Sequence, residues 1–90
     1  MTNEKVIQAF LNKEKAQTNL RDVSFGVYTY KGRTLISYGD KLLNYSTTIA
    51  FWQDNTLYLN VKKYSQTTSK IQNKIRSLAS DKNISIVEYK

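Results

Sequence analysis

The chain contains no cysteine, no histidine and no proline, and only three glycines in 90 residues. Without cysteine there can be neither a disulfide framework nor a thiolate metal site. Without histidine the commonest general base and the commonest metal ligand are both missing. Without proline no stretch reads as a rigid linker. The seven carboxylates, Glu4, Glu14, Asp22, Asp40, Asp54, Asp81 and Glu88, are scattered along the sequence. A two-metal nuclease needs several acids converging on one point, and a serine nucleophile here would have only a lysine as its base. These absences argue against an enzyme, and neither a metal nor another cofactor is expected. No apolar run reaches membrane-spanning length, and the opening MTNEKVIQAF carries charge where a signal peptide has its apolar segment. The expectation is a soluble protein of the cytoplasm with no membrane partner.

What is present is positive charge and tyrosine. Fourteen basic residues against seven acidic ones give a formal net charge of +7. That balance attracts phosphate backbones, acidic proteins or anionic surfaces without choosing among them. Seven of the eleven aromatic residues are tyrosines, whose rings pack in a thin core or lie at an interface. The length fits one domain, residues 1–90, with a core so modest that a sheet needs helices against it.

Apolar periodicity divides the chain. Val6, Ile7, Phe10 and Leu11 recur at helical spacing and predict a helix over residues 3–17, capped by Thr2 or Asn3 with Glu4 in its first turn. Val23, Phe25 and Val27 alternate with Ser24, Gly26 and Tyr28, so residues 23–30 read as a strand. Lys31-Gly32 then reads as a hairpin turn into a strand over 33–38. Residues 41–45 are open between a loop and an irregular edge segment. Residues 46–53 and 56–62 form the clearest hairpin, with Ile49, Phe51, Leu57, Leu59 and Val61 expected on one dry face. A helix over 69–80, carrying Ile71, Ile75 and Leu78, and a strand over 84–89 complete the order α-β-β-β-β-α-β. The fold class expected is α+β, an antiparallel sheet with both helices on one face.

Two features could carry binding. At the start of the second helix, Thr67, Thr68, Ser69 and Lys70 offer three hydroxyls and a cation beside unpaired backbone N–H groups, which suits an anion. The same hydroxyls also suit helix capping with no ligand at all. Lys62, Lys63, Lys70, Lys74 and Arg76 form a basic run with no acid between residues 55 and 80. Tyr58 and Tyr64, with Trp52 nearby in sequence, supply the aromatic component that accompanies basic residues where nucleic acid binds. The alternative is a solvated basic face with the rings packed into the core.

Residues 39–43, Tyr45 to Ala50, Leu57-Tyr58-Leu59-Asn60 and Tyr64-Ser65 with Thr67-Thr68-Ser69-Lys70 resemble a family of small proteins of unknown function found largely in bacteriophages, plasmids and other mobile elements. The similarity covers about half of the chain and excludes the first helix. Its most specific part runs from Asn60 through Tyr64-Ser65-x-Thr67-Thr68-Ser69-Lys70-x-Gln72-Asn73; where family members commonly carry a histidine after the lysine, this chain has Ile71. The resemblance implies a phage or prophage source, and hence a host bacterial cytoplasm, more than an activity. Two readings stand at this point. One is a module contacting nucleic acid, or a host nucleoprotein complex, through Tyr58, Lys62, Lys63, Tyr64, Thr67, Thr68, Ser69, Lys70, Lys74 and Arg76. The other is an inhibitor of a host defence complex, of the anti-CRISPR kind, acting by protein–protein contact. A homodimer is compatible with either.

Overall fold

Helix α1 (Asn3–Leu11) starts where a hydroxyl can cap it, with Thr2 Oγ1 accepting from the Lys5 amide at 3.3 Å. It stops six residues earlier than its periodicity suggests. Lys13 takes a left-handed conformation (φ 60°), and the Lys13 and Glu14 amides donate back to the Phe10 and Ala9 carbonyls in a Schellman turn. No glycine marks this stop, so the sequence hides it. Residues 15–17, expected as helix, instead form β1 (Lys15–Gln17).

The structure is a computed structural model describing residues 2–25, 27–32, 34–45 and 47–90, with backbone alone for 21–25, 28, 30 and 31. The remaining elements are β2 (Arg21–Phe25), β3 (Tyr28–Gly32), β4 (Leu35–Tyr38), β5 (Lys41–Asn44), β6 (Thr47–Gln53), β7 (Thr56–Asn60), α2 (Gln66–Asp81) and β8 (Ile86–Tyr89). Helix, strands, helix and final strand follow in the expected order, with more strands than the sequence suggests. Lys31 and Gly32 are not a turn. They lie in β3, paired with Asp22 and Arg21, and the β2–β3 connection falls between Phe25 and Tyr28. The expected strand starts at Arg33 and Ser46 lie outside the described residues, as does the alternation of Val23 and Phe25 with Gly26.

Six strands form one sheet in the order β1-β4-β5-β6-β7-β8, while β2 and β3 pair separately. The segment at 41–45 is therefore no edge, because β5 sits between β4 and β6. Its entry needs Gly39, whose φ of +92° disfavours a side chain and whose Cβ would meet the Lys13 carbonyl oxygen at 3.2 Å. The sheet is not wholly antiparallel. β8 runs parallel to β7, because α2 carries the chain back across before β8 joins the sheet.

The register of the central hairpin corrects the expected dry face. Leu42 pairs with Ala50 but Leu43 pairs with Thr48, leaving Ile49 as an extra residue in a β-bulge. Beyond the bulge, Ala50 pairs with Leu59 and Trp52 with Leu57, so these four share one face. Phe51 pairs with Tyr58 on the other face and is only half-buried. Ile49 and Ala50 are both fully buried, which simple alternation forbids and a bulge allows. One core cluster gathers Val6, Ile7 and Phe10 of α1, Ile71, Ile75 and Ala79 of α2, and Leu35, Leu42, Leu57 and Leu59 of the sheet.

A stability series separates the two faces. Leu59→Ala should cost about 2–5 kcal/mol, as for a fully buried leucine, and Phe51→Ala should cost less than Leu59→Ala. Urea unfolding of both variants measures this, and the reverse ranking would contradict the register.

Candidate nucleic-acid interface

The connection from β7 to α2 is built on buried amides. Asn60 is almost fully buried; its Nδ2 donates to the Thr48 carbonyl at 3.2 Å and the Tyr64 hydroxyl at 3.0 Å, and its Oδ1 accepts from the Lys62 amide at 2.9 Å. From α2, Gln72 Nε2 donates to the carbonyls of Asn60 (2.8 Å) and Lys62 (3.1 Å). These bonds hold residues 60–64 along the helix and satisfy groups that would be costly to bury unpaired.

The cap of α2 lies earlier than expected. Ser65 is the N-cap, its Oγ accepting from the Thr68 amide at 3.2 Å, and the helix begins at Gln66. Thr67, Thr68 and Ser69 are thus first-turn residues and do not cap together. Thr68 is buried and donates to Asn44 Oδ1 at 2.6 Å, while Asn44 Nδ2 donates to the Thr34 carbonyl at 2.8 Å. That hydroxyl is a staple between helix and sheet and is not available to an anion. Thr67 is exposed and, with Lys70 and Lys74, lines a hollow with the start of α1.

Tertiary structure also divides the basic run. Lys74 points to α1 and pairs with Glu4 at 2.6 Å. Arg76 Nε meets Glu88 Oε1 of β8 at 3.4 Å, and its Nη1 donates to Asn73 Oδ1 at 2.9 Å. Both acids are remote in sequence, so a run without acids along the chain is partly neutralised in space. Both ion pairs are half-exposed and add little stability. Lys74 drops out of the basic surface formed by the others.

What remains is a polar hollow of about 590 Å³ between residues 61–63 and α2, lined by Lys62, Lys63, Arg76 and Lys90 with Ser69, Gln72 and Asn73. Ser69, Asn73 and Arg76 recur at the i, i+4, i+7 spacing of one helix face. A second hollow of about 340 Å³ shares Lys63, Ser69 and Asn73 with the first and adds Lys70 and Tyr64. Together they make a continuous groove with five cations: Lys62, Lys63, Lys70, Arg76 and Lys90. Lys90 escaped the sequence reading because only the parallel pairing of β8 with β7 brings it here.

Tyr58 lies away from the groove, on the sheet face of Phe51. The two rings stack at 4.9 Å between centroids and 9° between planes, and Tyr89 tilts against Phe51 at 5.5 Å. Burial, and secondarily the phenol of Tyr64, hold the Tyr89 hydroxyl above its usual titration range. Tyr64 lines the groove and carries Lys62 Nζ at 5.8 Å from its ring centroid. Trp52 is on the core side, its Nε1 donating to the Phe10 carbonyl at 2.9 Å.

No family model matches the sequence, and neither the curated proteins nor the solved structures contain a match. Among the described residues there is no cluster of three or more potential metal ligands, and no helix is long and apolar enough to cross a membrane.

The cap assignment has a direct test. Ser65→Ala should lower stability by about 1 kcal/mol, and Thr68→Ala by about 1–3 kcal/mol because Asn44 Oδ1 loses its donor in a buried place. Thr67→Ala should stay within about 0.5 kcal/mol. Urea midpoints rank the three, and a Thr67→Ala loss equal to that of Ser65→Ala would return the cap to the Thr67–Ser69 run.

Proposed function

We propose that the chain is a nucleic-acid-binding module that grips phosphates in the groove between residues 61–63 and α2. The observation that carries this reading is the gathering of Lys62, Lys63, Lys70, Arg76 and Lys90 along two adjoining hollows that share Lys63, Ser69 and Asn73. Among the described residues, only Arg76 of these five has a carboxylate partner. Lys63 and Lys70 are exposed and free to meet a phosphate, and Ser69 and Asn73 add neutral donors beside them. Phosphate contacts of this kind supply affinity and position without reading sequence. The groove's side chains are cations, amides and the Ser69 hydroxyl, a set suited to holding phosphate oxygens.

The reading includes an orientation of the domain. Both helices lie on the core side of the sheet, leaving the Phe51–Tyr58 face to solvent. Support comes from the single core cluster, which takes residues from both helices and from the Leu35–Leu42–Leu59 face alone. The Glu4–Lys74 pair, which ties the helices to each other, fits the same arrangement. A module of this kind would act on free nucleic acid or within a nucleoprotein complex of its host.

Paired charge removal tests the groove. Lys63→Gln with Lys70→Gln takes two charges from it, and Lys5→Gln with Lys82→Gln takes the same two charges from exposed positions elsewhere. In a salt series with single-stranded and duplex DNA, the groove pair should flatten the log–log slope by about 1.4 and 1.8 respectively, two contacts' worth. The control pair should leave the slope close to that of the unmodified protein. Equal flattening by both pairs would reduce the effect to net charge, and no binding at low salt would favour an acidic protein partner.

A further inference from the structure

We infer that the sheet face opposite the core binds the bases of a single strand, by stacking them on a row of rings flanked by cations. This rests on the nucleic-acid reading of the groove and specifies its ligand. Strand register builds the row. Lys15 pairs with Tyr38, Lys41 with Phe51, Phe51 with Tyr58, and Tyr58 with Val87. Directly paired residues share a face, and Lys41 Nζ closes the remaining step at 5.9 Å from the Tyr38 ring centroid. The row crosses all six strands, about 24 Å at the usual strand spacing.

Three features of the row suit bases. Its rings reach the surface, since Tyr38 is 47% exposed and Phe51 and Tyr58 are half-buried in a parallel stack, with the exposed Val87 extending the apolar surface beyond them. Its charge is of one sign. Among the described strand residues on this face there is no carboxylate, because Glu88 falls on the other side of β8 with Arg76. The row is also continuous with the groove through the end of β8, where Tyr89 tilts against Phe51, accepts from the Val61 amide and is followed by Lys90 of the groove, so a strand held by its phosphates there can lay its bases across the sheet. Every base has a π-face, and the duplex conceals it, so ring surface open to solvent selects unpaired nucleotides and tolerates any sequence. A protein partner would bury the same rings but would give no dependence on bases.

Three fluorescent probes of equal length test this: an oligothymidylate, an abasic strand with the same phosphates, and a duplex. The unmodified protein should prefer the oligothymidylate over both others. Phe51→Leu and Tyr58→Leu keep apolar bulk but lose the stacking plane, and each should weaken oligothymidylate binding about 5- to 150-fold. Neither should change the salt slope or the affinity for the abasic strand. Tyr38→Leu, at a half-exposed position outside the core, gives the same readout in a variant whose folding is not at risk. Equal affinity for oligothymidylate and abasic strand, still sensitive to Lys63→Gln and Lys70→Gln, would overturn the stacking inference and leave the groove reading standing. No binding of any probe would overturn both.

Discussion

Gln72 is a polar side chain in a nearly dry place, and both of its amide protons are committed to carbonyls of the chain leaving β7. The rest of the candidate surface depends on that commitment. Residues 61–63 have no strand partner beyond the one bond from the Val61 amide to the Tyr89 carbonyl, so α2 supplies what a neighbouring strand would. Asn60 completes the arrangement by fixing Tyr64 and the Lys62 amide from below. Because the partners are buried, losing one leaves others unsatisfied, and the geometry is held more tightly than surface lysines could hold it themselves.

The second constraint is the bulge at Ile49. One extra residue lets Ile49 and Ala50 both enter the core and sends Phe51 to the opposite face, where it stacks on Tyr58. With strict alternation the phenylalanine would share a face with Leu57 and Leu59 and the stack with Tyr58 would be lost. Bulges commonly re-aim a side chain beside a functional surface. Here one local irregularity turns a two-layer domain into one with a dry side and a ring-bearing side.

Much of the architecture was legible in the sequence. Helical spacing of Val6, Ile7, Phe10 and Leu11, and of Ile71, Ile75 and Leu78, identified both helices and their apolar faces, and the hairpin expected over 46–62 stood out by its apolar strands. Three things were not legible, each for a physical reason. The end of α1 rests on a lysine in the left-handed region, supported by the Lys13 Nζ bond to Asn55 Oδ1 across the fold. The face of Phe51 depends on a bulge that leaves no local mark. The division of the basic run depends on Glu4 and Glu88, which lie far off in sequence. The candidate residues sort accordingly: Lys62, Lys63, Tyr64, Ser69, Lys70 and Arg76 come together, Lys74 and Thr67 face the start of α1, Thr68 is structural, and Tyr58 belongs to the ring face.

The account makes one surface of the groove and the ring face, and amide chemical-shift mapping during titration with a short single-stranded DNA examines that unity directly. The perturbed amides should fall in residues 61–64, on the Ser69–Asn73–Arg76 side of α2, and across the sheet at positions 38, 41, 51, 58 and 87–90, saturating with one common affinity. Shifts confined to α1 and the Thr67–Lys74 side of α2, or two sets that saturate at different concentrations, would contradict a single binding surface.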